Sequence, residues 1–267
     1  MKNPKKLKEI KGFILDMDGT TYLSHKLFPG VIEFVELLKK QNKKFVFLTN
    51  NNSMDANQYI LKLKKMGIKV KKENIYTSGQ ATAFYLTNKK KLPRVFVLGT
   101  PSFERELKKA GCILTDKDVK YVVVGFDKTL TYEKLKKACL LIRKGAKFIA
   151  SHPDINCPTI EGYIPDCGSI CAAITASTGK KPFIIGKPKK EIILGAVKQM
   201  GTKLSESCII GDRLYTDIKA GKNAGITTIL VLSGETKKKD IKKTNIQPDF
   251  VFNSIRELYE KLCKKKS

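Results

Sequence analysis

The chain of 267 residues contains no tryptophan and two histidines, and only five of its 52 basic residues are arginine. Arginine is the preferred residue for bidentate phosphate contacts, and no basic stripe is interleaved with aromatic residues, so specific nucleic-acid binding is not expected. The 47 lysines instead fall on predicted outer helix faces, where they solvate the surface. The net charge of +27 would still attract small anions.

Long apolar runs and a regular cysteine framework are also missing. No run approaches the roughly 20 apolar residues that a membrane-spanning helix needs. The basic amino-terminal stretch has a short apolar segment that ends at Asp16, which argues against a cleaved signal peptide. The seven cysteines are odd in number, and no histidine lies near enough to Cys167 and Cys171 to suggest a zinc cluster. We therefore expect a soluble, cytoplasmic protein with reduced thiols and no membrane association.

Short apolar runs alternate with amphipathic segments of helical length, which predicts βα units and a mainly parallel sheet. One set of units begins with the strand FILDM, and a second set begins after the segment NKKKLP. The region from Asp154 to Gly168 has no clear periodicity and is interpreted as irregular. The last third, which opens with FIIGKP, returns to the style of the first set. The fold class is therefore α/β and doubly wound.

Polar residues stand at the ends of several predicted strands, where open α/β sheets bind their ligands. Asp16, Thr49, Lys187 and Asp212 each follow an apolar run, and Asp18 comes two residues after the first of them. Singly, each has a structural explanation: the acids suit turns or helix caps, the threonine suits a cap, and the lysine suits a solvated surface. Their joint occurrence favours a functional site.

The stretches FILDMDGTT, FVFLTNNNS, IIGKPKKE and IIGDRLYTD, in this order, resemble the haloacid dehalogenase (HAD) superfamily of aspartate-based phosphotransferases. The best match is its class IIA capped subfamily, with p-nitrophenyl, pyridoxal, phosphoglycolate and NagD-type nucleotide or sugar phosphatases. The resemblance covers nearly the whole chain. It implies a Rossmann-like core of residues 1–89 and 183–267 with an inserted α/β (C2-type) cap of residues 90–182. The cap is expected to close over the site and exclude water.

The resemblance implies Mg²⁺-dependent hydrolysis of small phosphomonoesters, such as sugar phosphates or p-nitrophenyl phosphate, through an aspartyl-phosphate. Asp16 would be the nucleophile, which is ionised at neutral pH at its ordinary pKa of about 4. Asp18 would protonate the leaving oxygen and then activate water, because one acid cannot be both nucleophile and proton carrier. Asp16, the backbone carbonyl of Asp18, and Asp212 would hold the Mg²⁺, a hard ion that prefers oxygen ligands.

The resemblance also implies a set of groups that bind the phosphoryl oxygens. The hydroxyl of Thr49 and the backbone N–H groups of Asn50 and Asn51 would donate hydrogen bonds to them. Lys187 would add positive charge where negative charge develops. Asp217 would act outside this set, orienting metal-bound water or the lysine.

Substrate contacts of the family fall in the loop SHPDINCPTIEGYIPDCG, in which Asp154, Asn156 and Cys157 are the candidate specificity residues. Pyridoxal phosphatase-like members have a histidine where this chain has Cys157, which argues against pyridoxal phosphate as the main substrate. His152 is interpreted as structural or simply exposed. Asp166 either contacts a polyhydroxy substrate or caps the following helix, and the cap is favoured.

Other functions stay open at this point. A phosphoglycolate or pyridoxal phosphate phosphatase, a phosphomutase and a nucleic-acid phosphatase would share much of the pattern. A non-catalytic protein that binds phosphorylated metabolites is a further alternative, because a fold does not determine a function. In each enzymatic reading the expected partner is a small phosphorylated metabolite. The oligomeric state is not fixed, and a homodimer is left open.

Overall fold

A computed structural model of the protein describes residues 5–159 and 161–263. Its contacts divide these residues into two compact units. The first unit holds residues 5–49, 59–76 and 187–263, and the second holds residues 50–58 and 77–186. Among the described helices, none is both long and apolar enough to cross a membrane.

The strands are, in chain order, β1 (Gly12–Asp16), β2 (Tyr22–Leu23), β3 (Lys26–Leu27), β4 (Lys44–Thr49), β5 (Ile75–Thr77), β6 (Arg94–Leu98), β7 (Ile113–Leu114), β8 (Tyr121–Val124), β9 (Lys147–Ala150), β10 (Asn156–Thr159), β11 (Gly162–Pro165), β12 (Phe183–Ile184), β13 (Ser207–Gly211), β14 (Thr227–Val231) and β15 (Phe250–Phe252). The α-helices are α1 (Lys5–Glu9), α2 (Val31–Lys40), α3 (Ala56–Lys65), α4 (Ser78–Lys89), α5 (Pro101–Lys109), α6 (Tyr132–Arg143), α7 (Cys167–Thr178), α8 (Lys190–Met200), α9 (Lys219–Ala224), α10 (Lys238–Ile241) and α11 (Ile255–Cys263).

The sheet of the first unit has six strands in the order β15-β14-β13-β1-β4-β5. Strand β1 lies at its centre and runs parallel to both β13 and β4, with Leu15 opposite Ile210 on one side and Phe47 on the other. Every residue of β1, β13 and β14 is buried, as expected for a parallel sheet covered on both faces. Because these strands are parallel, their carboxyl ends meet at one edge of the sheet, as the sequence predicts.

Helix α2 is amphipathic and buries Val31, Phe34 and two further apolar side chains of one face. The sequence predicts that Pro29 begins this helix, but the helix begins at Val31, after Gly30. Gly30 adopts a left-handed φ of 88°, and a Cβ there would lie 2.5 Å from the Cα of Arg256. The glycine therefore sets the helix start, because only glycine fits this turn against the neighbouring backbone.

The second unit has its own five-stranded sheet in the order β12-β9-β8-β6-β7, and its strand pairs are parallel. Side chains from β8, β9, α6 and α7 form one apolar cluster, which includes Val122, Ile142, Phe148 and Ile174. This unit therefore has a hydrophobic core separate from the first sheet.

Two further predictions about local structure are wrong. The segment interpreted as irregular contains a hairpin, in which β10 and β11 pair antiparallel with Asn156 opposite Pro165. The strand predicted to lead into Lys187 in the style of the first set is β12, which ends at Ile184 and pairs with β9 of the second unit. Backbone N–H groups of Ile185 and Gly186 continue to donate hydrogen bonds beside β9, which extends this pairing towards the lysine.

Candidate active site

Three buried acids converge at the carboxyl edge of the first sheet. Asp16 ends β1, Asp212 directly follows β13, and Asp217 lies in a π-helical turn, Leu214–Ile218. Their carboxylate oxygens lie within 4.8 Å of one another. Such π-helical turns occur frequently at functional sites, and this one brings the third acid back towards the strand ends.

Lys187 joins this cluster as its counter-charge. Its Nζ donates to Oδ1 of Asp16 and lies 2.6 Å from Oδ1 of Asp217, and its side chain is 5% exposed. Burial lowers the pKa of Lys187, but the two carboxylates raise it more, so that the net pKa is raised. The ammonium group therefore stays charged at neutral pH.

The pKa values of the acids respond to their burial. Burial raises the pKa of Asp16 well above its ordinary value and Asp217 raises it further, whereas Lys187 opposes the rise. The expectation of an ordinary pKa for Asp16 is therefore wrong, because burial beside another acid disfavours its ionised form. Burial and Asp217 together raise the pKa of Asp212 to about 6. Three buried carboxylates facing one ammonium group leave an excess of negative charge, which is costly without a further cation.

Asp18 lies in the turn that follows β1 and is partly buried. The backbone N–H of Thr21 donates to the carbonyl of Met17 at 2.8 Å, and that of Gly19 donates to the carbonyl of Tyr22 at 2.9 Å. Burial raises the pKa of Asp18, and the positive charge of Lys62 opposes this only in part. A raised pKa suits a group that must carry a proton at neutral pH.

Several residues that the sequence does not single out hold these acids in place. Thr20 Oγ1 donates to Asp212 Oδ1 at 3.1 Å, and the backbone N–H of Glu235 donates to Oδ2 of the same acid at 2.8 Å. Thr21 Oγ1 donates to the backbone carbonyl of Asp16 at 2.7 Å. The two threonines follow the residues Asp-Gly in the sequence and could have been recognised from that motif. Glu235 lies in a loop after β14 whose sequence carries no recognisable motif.

The residues around Asp212 fit a hard divalent cation. Gly19 has a φ of 92°, and a Cβ on it would lie 2.5 Å from Oδ2 of Asp212. A Cβ on Gly234 would also collide with this carboxylate. The two glycines therefore allow the backbone to approach the buried Asp212 carboxylate closely, and the neighbouring Asp16 carboxylate supplies a second set of oxygen donors. Oxygen donors with excess negative charge are the surroundings that Mg²⁺ prefers.

Three of the four predicted phosphate-binding residues lie on consecutive positions. Thr49 is buried at the end of β4 in the first unit, and Asn50 and Asn51 open the next segment of the second unit. The side chain of Asn51 accepts hydrogen bonds from the backbone N–H of Ser53 at 3.0 Å and from its hydroxyl at 2.8 Å. The amide group of Asn50 donates to Asp154 Oδ2 at 3.1 Å. Both asparagine side chains thus have structural partners, in keeping with a phosphate role for their backbone N–H groups.

The candidate specificity residues belong to the second unit. Asn156 is exposed at the start of β10, and Cys157 is partly buried opposite Ile164. Asp166 accepts a hydrogen bond from the backbone N–H of Cys167 at 2.6 Å as the N-cap of α7, which confirms its interpretation as a cap. His152, two residues before Asp154, is fully buried rather than exposed.

The chain matches two profiles of one hydrolase family: the haloacid dehalogenase-like hydrolases over residues 13–113 and the HAD-hydrolase-like family over residues 184–258. A 5'-nucleotidase, YutF of Bacillus subtilis, is 37% identical over 251 residues, which cover 94% of this chain and 98% of that protein. An acid sugar phosphatase of Staphylococcus haemolyticus is 35% identical over 259 residues, covering 97% of this chain and 98% of that protein.

Solved structures give the same assignment. The 4-nitrophenylphosphatase of Thermotoga maritima is 49% identical and superposes with a TM-score of 0.92, covering 96% of this chain and 99% of that one. NagD of Escherichia coli K-12 is 35% identical with a TM-score of 0.88, covering 93% and 98% respectively. The chain therefore belongs to the haloacid dehalogenase-like hydrolase family and is a phosphatase of its NagD-type subfamily.

Proposed function

We propose that this chain hydrolyses small phosphomonoesters through an aspartyl-phosphate formed on Asp16. The observation that supports this most strongly is the buried cluster at the sheet edge, in which Lys187 contacts both Asp16 and Asp217 beside Asp212. The cluster combines a nucleophile with positive charge that can face a phosphoryl group.

Two proton transfers accompany the two steps of this reaction. The carboxylate of Asp16 attacks phosphorus, the ester P–O bond breaks, and Asp18 gives its proton to the leaving oxygen. Asp18 then takes a proton from a water molecule, which attacks phosphorus of the acyl-phosphate. Inorganic phosphate leaves, and the Asp16 carboxylate and the protonated Asp18 are regenerated. The raised pKa of Asp18 supports its role as the proton carrier.

Binding of the phosphoryl group is assigned to Thr49, the backbone N–H groups of Asn50 and Asn51, and Lys187. These donors would face the oxygens on which negative charge develops. Asp217 positions Lys187 through the 2.6 Å contact between Nζ and Oδ1. It also accepts a hydrogen bond from the backbone N–H of Arg213 at 3.1 Å, which fixes the carboxylate in turn.

Mg²⁺ is the cation that we assign to the acids, with Asp16, the backbone carbonyl of Asp18, and Asp212 as its ligands. The cluster of buried carboxylates and the oxygen-only donor set support this assignment. When bound, the ion would neutralise the buried carboxylates and the charge that develops on the phosphoryl oxygens.

Sugar phosphates and p-nitrophenyl phosphate are the proposed substrates, and the names of two relatives, an acid sugar phosphatase and a 4-nitrophenylphosphatase, support this choice. Nucleoside 5'-monophosphates are a second candidate class because another relative is a 5'-nucleotidase. Selection among them is assigned to the predicted cap, residues 90–182, and in particular to Asp154, Asn156 and Cys157.

A panel of phosphomonoesters with colorimetric detection of released phosphate tests the proposal. Wild-type protein should release phosphate with Mg²⁺, lose activity in EDTA and regain it when Mg²⁺ is restored. Ca²⁺ should bind but support little turnover, because its looser coordination misplaces the nucleophile. Asp16→Asn should be folded and inactive, since an amide cannot form the acyl-phosphate. Near-wild-type turnover by that variant, with deamidation excluded by mass spectrometry, would contradict the mechanism.

A reducing, cytoplasmic location is part of the same proposal. All seven cysteines lie among the described residues, and none of these residues forms a disulfide in the structure. A homodimer stays a prediction, and light scattering coupled to gel filtration would measure the oligomeric state.

A further inference from the structure

His152 lies between two carboxylates inside the second unit. Its Nδ1 is 3.3 Å from Oδ2 of Asp154, and its Nε2 is 3.5 Å from Oδ1 of Asp166. The imidazole is 0% exposed, so water cannot replace either contact. Two buried carboxylates need compensating positive charge, and an imidazolium between them supplies it.

The two carboxylates mark the two ends of the hairpin β10-β11. Asp154 precedes β10 by two residues, and Asp166 directly follows β11. The hairpin itself extends into solvent, as the 79% exposure of Tyr163 illustrates. Its base is already closed by backbone hydrogen bonds, of which the one from Asp166 N–H to the carbonyl of Ile155 is 2.8 Å long. His152 adds contacts to the side chains at this base.

The same contacts reach the segment that follows β4. Asp154 Oδ2, the oxygen nearest to His152, accepts a hydrogen bond from Asn50 Nδ2 at 3.1 Å. Asn50 is the residue directly after Thr49, and its backbone carbonyl accepts a hydrogen bond from the hydroxyl of Ser78. Hydrogen bonds therefore join Asn50 to Asp154 and Asp166 to the start of α7, and His152 lies between the two acids at ion-pair distances of 3.3 and 3.5 Å.

Charged and titratable groups around the imidazole favour its protonated form. Burial lowers the pKa of His152, but Cys167 on α7 and the carboxylates of Asp154 and Asp166 outweigh this effect and raise the pKa to about 9. Lys181 lines the same cavity as His152 and is a further charged group on that side. The imidazolium is thus the main form at neutral pH and is lost as the pH rises through about 9.

We propose that His152 is a positioning residue for substrate selectivity: its imidazolium holds the carboxylates at both ends of the hairpin 154–166 and thereby fixes the hairpin to Asn50. The inference rests on the proposed function, in which this hairpin reads the leaving group of the substrate. His152 touches neither the substrate nor the reacting atoms in this account. Residue 160 of the hairpin lies outside the described residues.

Two variants separate the charge from the packing. His152→Gln keeps a polar side chain but cannot carry charge or reach both carboxylates. Asp166→Asn keeps an N-cap for α7 and removes one of the two carboxylate charges beside His152. This second variant keeps the proposal testable if His152→Gln does not fold. The matched control is Thr131→Ala, which removes the N-cap of α6 in the same unit without touching the hairpin.

Kinetics and proteolysis are the two measurements. In both variants KM for a sugar phosphate should rise by about tenfold or more, because misplaced contacts weaken binding of the leaving group, while kcat/KM for p-nitrophenyl phosphate stays within about twofold. Cleavage after the exposed Glu161 by the protease Glu-C, followed by mass spectrometry, should become faster in both. Thr131→Ala should change neither the ratio between the two substrates nor this cleavage.

A pH series distinguishes this role from a purely structural one. The ratio of kcat/KM between the two substrates cancels effects on the shared core chemistry. In wild type the ratio should fall as the pH rises through about 9, and in His152→Gln it should already be low and independent of pH. The imidazole signal of His152, assigned by NMR with a His25→Gln variant because the chain has two histidines, should titrate in the same range.

The outcomes are separable from those of the proposed function. If wild type released phosphate from no member of the panel, the proposed function would fail, while the Glu-C and NMR measurements would still test the contacts of His152. Unchanged substrate ratios and unchanged Glu-C cleavage in both His152→Gln and Asp166→Asn would overturn the proposal. So would an imidazole that titrates well below neutral pH.

Discussion

The ammonium group of Lys187 lies 2.6 Å from Oδ1 of Asp217, and both side chains are at most 5% exposed. Removing one partner of a buried ion pair leaves an uncompensated charge, which destabilises a protein far more than loss of an exposed pair does. The contact is also directional, because Asp217 is held by the backbone N–H of Arg213. The acid therefore determines where the lysine points.

Asp217→Asn should lower kcat/KM for p-nitrophenyl phosphate by about 10- to 100-fold, the usual effect of losing a group that orients a site residue. Lys187 would keep its contact with Asp16 but lose the second carboxylate that fixes it. The control is Asp249→Asn, which weakens another ion pair of the first unit, the 3.0 Å contact between the buried Asp249 and the exposed Lys222. The control should lower stability and leave kcat/KM nearly unchanged; equal activity losses in both variants would contradict the positioning role.

Lys187→Ala should lower kcat/KM for every phosphomonoester by a similar factor, on the order of 100-fold or more. The reason is that the lysine is assigned to the phosphoryl group, which all these substrates share. Steady-state kinetics on at least three esters of different leaving groups checks this. A loss confined to one leaving group would place Lys187 in specificity rather than in phosphoryl binding.

Asp212→Asn should make the metal-free protein more stable at pH 7. The folded protein raises the pKa of Asp212 from 3.8 to about 6, so the folded state holds this proton more tightly than the unfolded state does. Stability from this group is therefore present at low pH and is lost as the pH rises towards about 6. In EDTA at pH 7 the variant should melt a few degrees above wild type, at about 2–4 °C per kcal/mol, and the difference should shrink at pH 5.

Addition of Mg²⁺ completes this experiment. The ion should raise the melting temperature of wild type, because binding to the folded state alone stabilises it, and should do so much less for Asp212→Asn. An equal Mg²⁺ effect on both proteins would exclude Asp212 as a ligand.

Substitutions in the hairpin should reorder a substrate panel. Asn156→Ala and Cys157→Ala remove side chains of β10 without touching the acids or Lys187. Each should change kcat/KM for sugar phosphates and nucleotides by different factors, while hydrolysis of p-nitrophenyl phosphate stays within about tenfold, or 1.4 kcal/mol. One common factor for all substrates would make the hairpin a lid that does not read the leaving group.

The sequence predicts the strand ends well, because a buried parallel strand is a continuous apolar run with polar residues after it. Asp16, Thr49 and Asp212 could be placed in this way. The pattern could not show which sheet a strand joins: β12 is an apolar run like the others, and only its pairing beside β9 puts it in the second unit. Pairing partners depend on tertiary contacts that periodicity does not record.

The hairpin and its supporting contacts escaped prediction for a related reason. Strand β10, with the sequence NCPT, contains a proline and little alternation, so it has no strand signal. Without the hairpin, nothing brings Asp166 beside His152, and the histidine is interpreted as an ordinary loop residue. Glu235 acts on Asp212 through its backbone N–H, which any residue could supply and no side-chain motif can reveal.

Asp16 should carry the phosphoryl group during turnover, and chemical trapping would detect the aspartyl-phosphate itself. Wild-type protein would be mixed with substrate and Mg²⁺, quenched within the first turnovers and treated with borohydride, which reduces an aspartyl-phosphate to homoserine. Peptide mass spectrometry would then locate the product. Homoserine should be found at position 16 in wild type, and none should be found there in Asp16→Asn or without substrate. Homoserine at another acid would contradict the role of Asp16. So would active enzyme that yields no homoserine at position 16 under conditions in which a known acyl-phosphate enzyme yields homoserine at its own nucleophile.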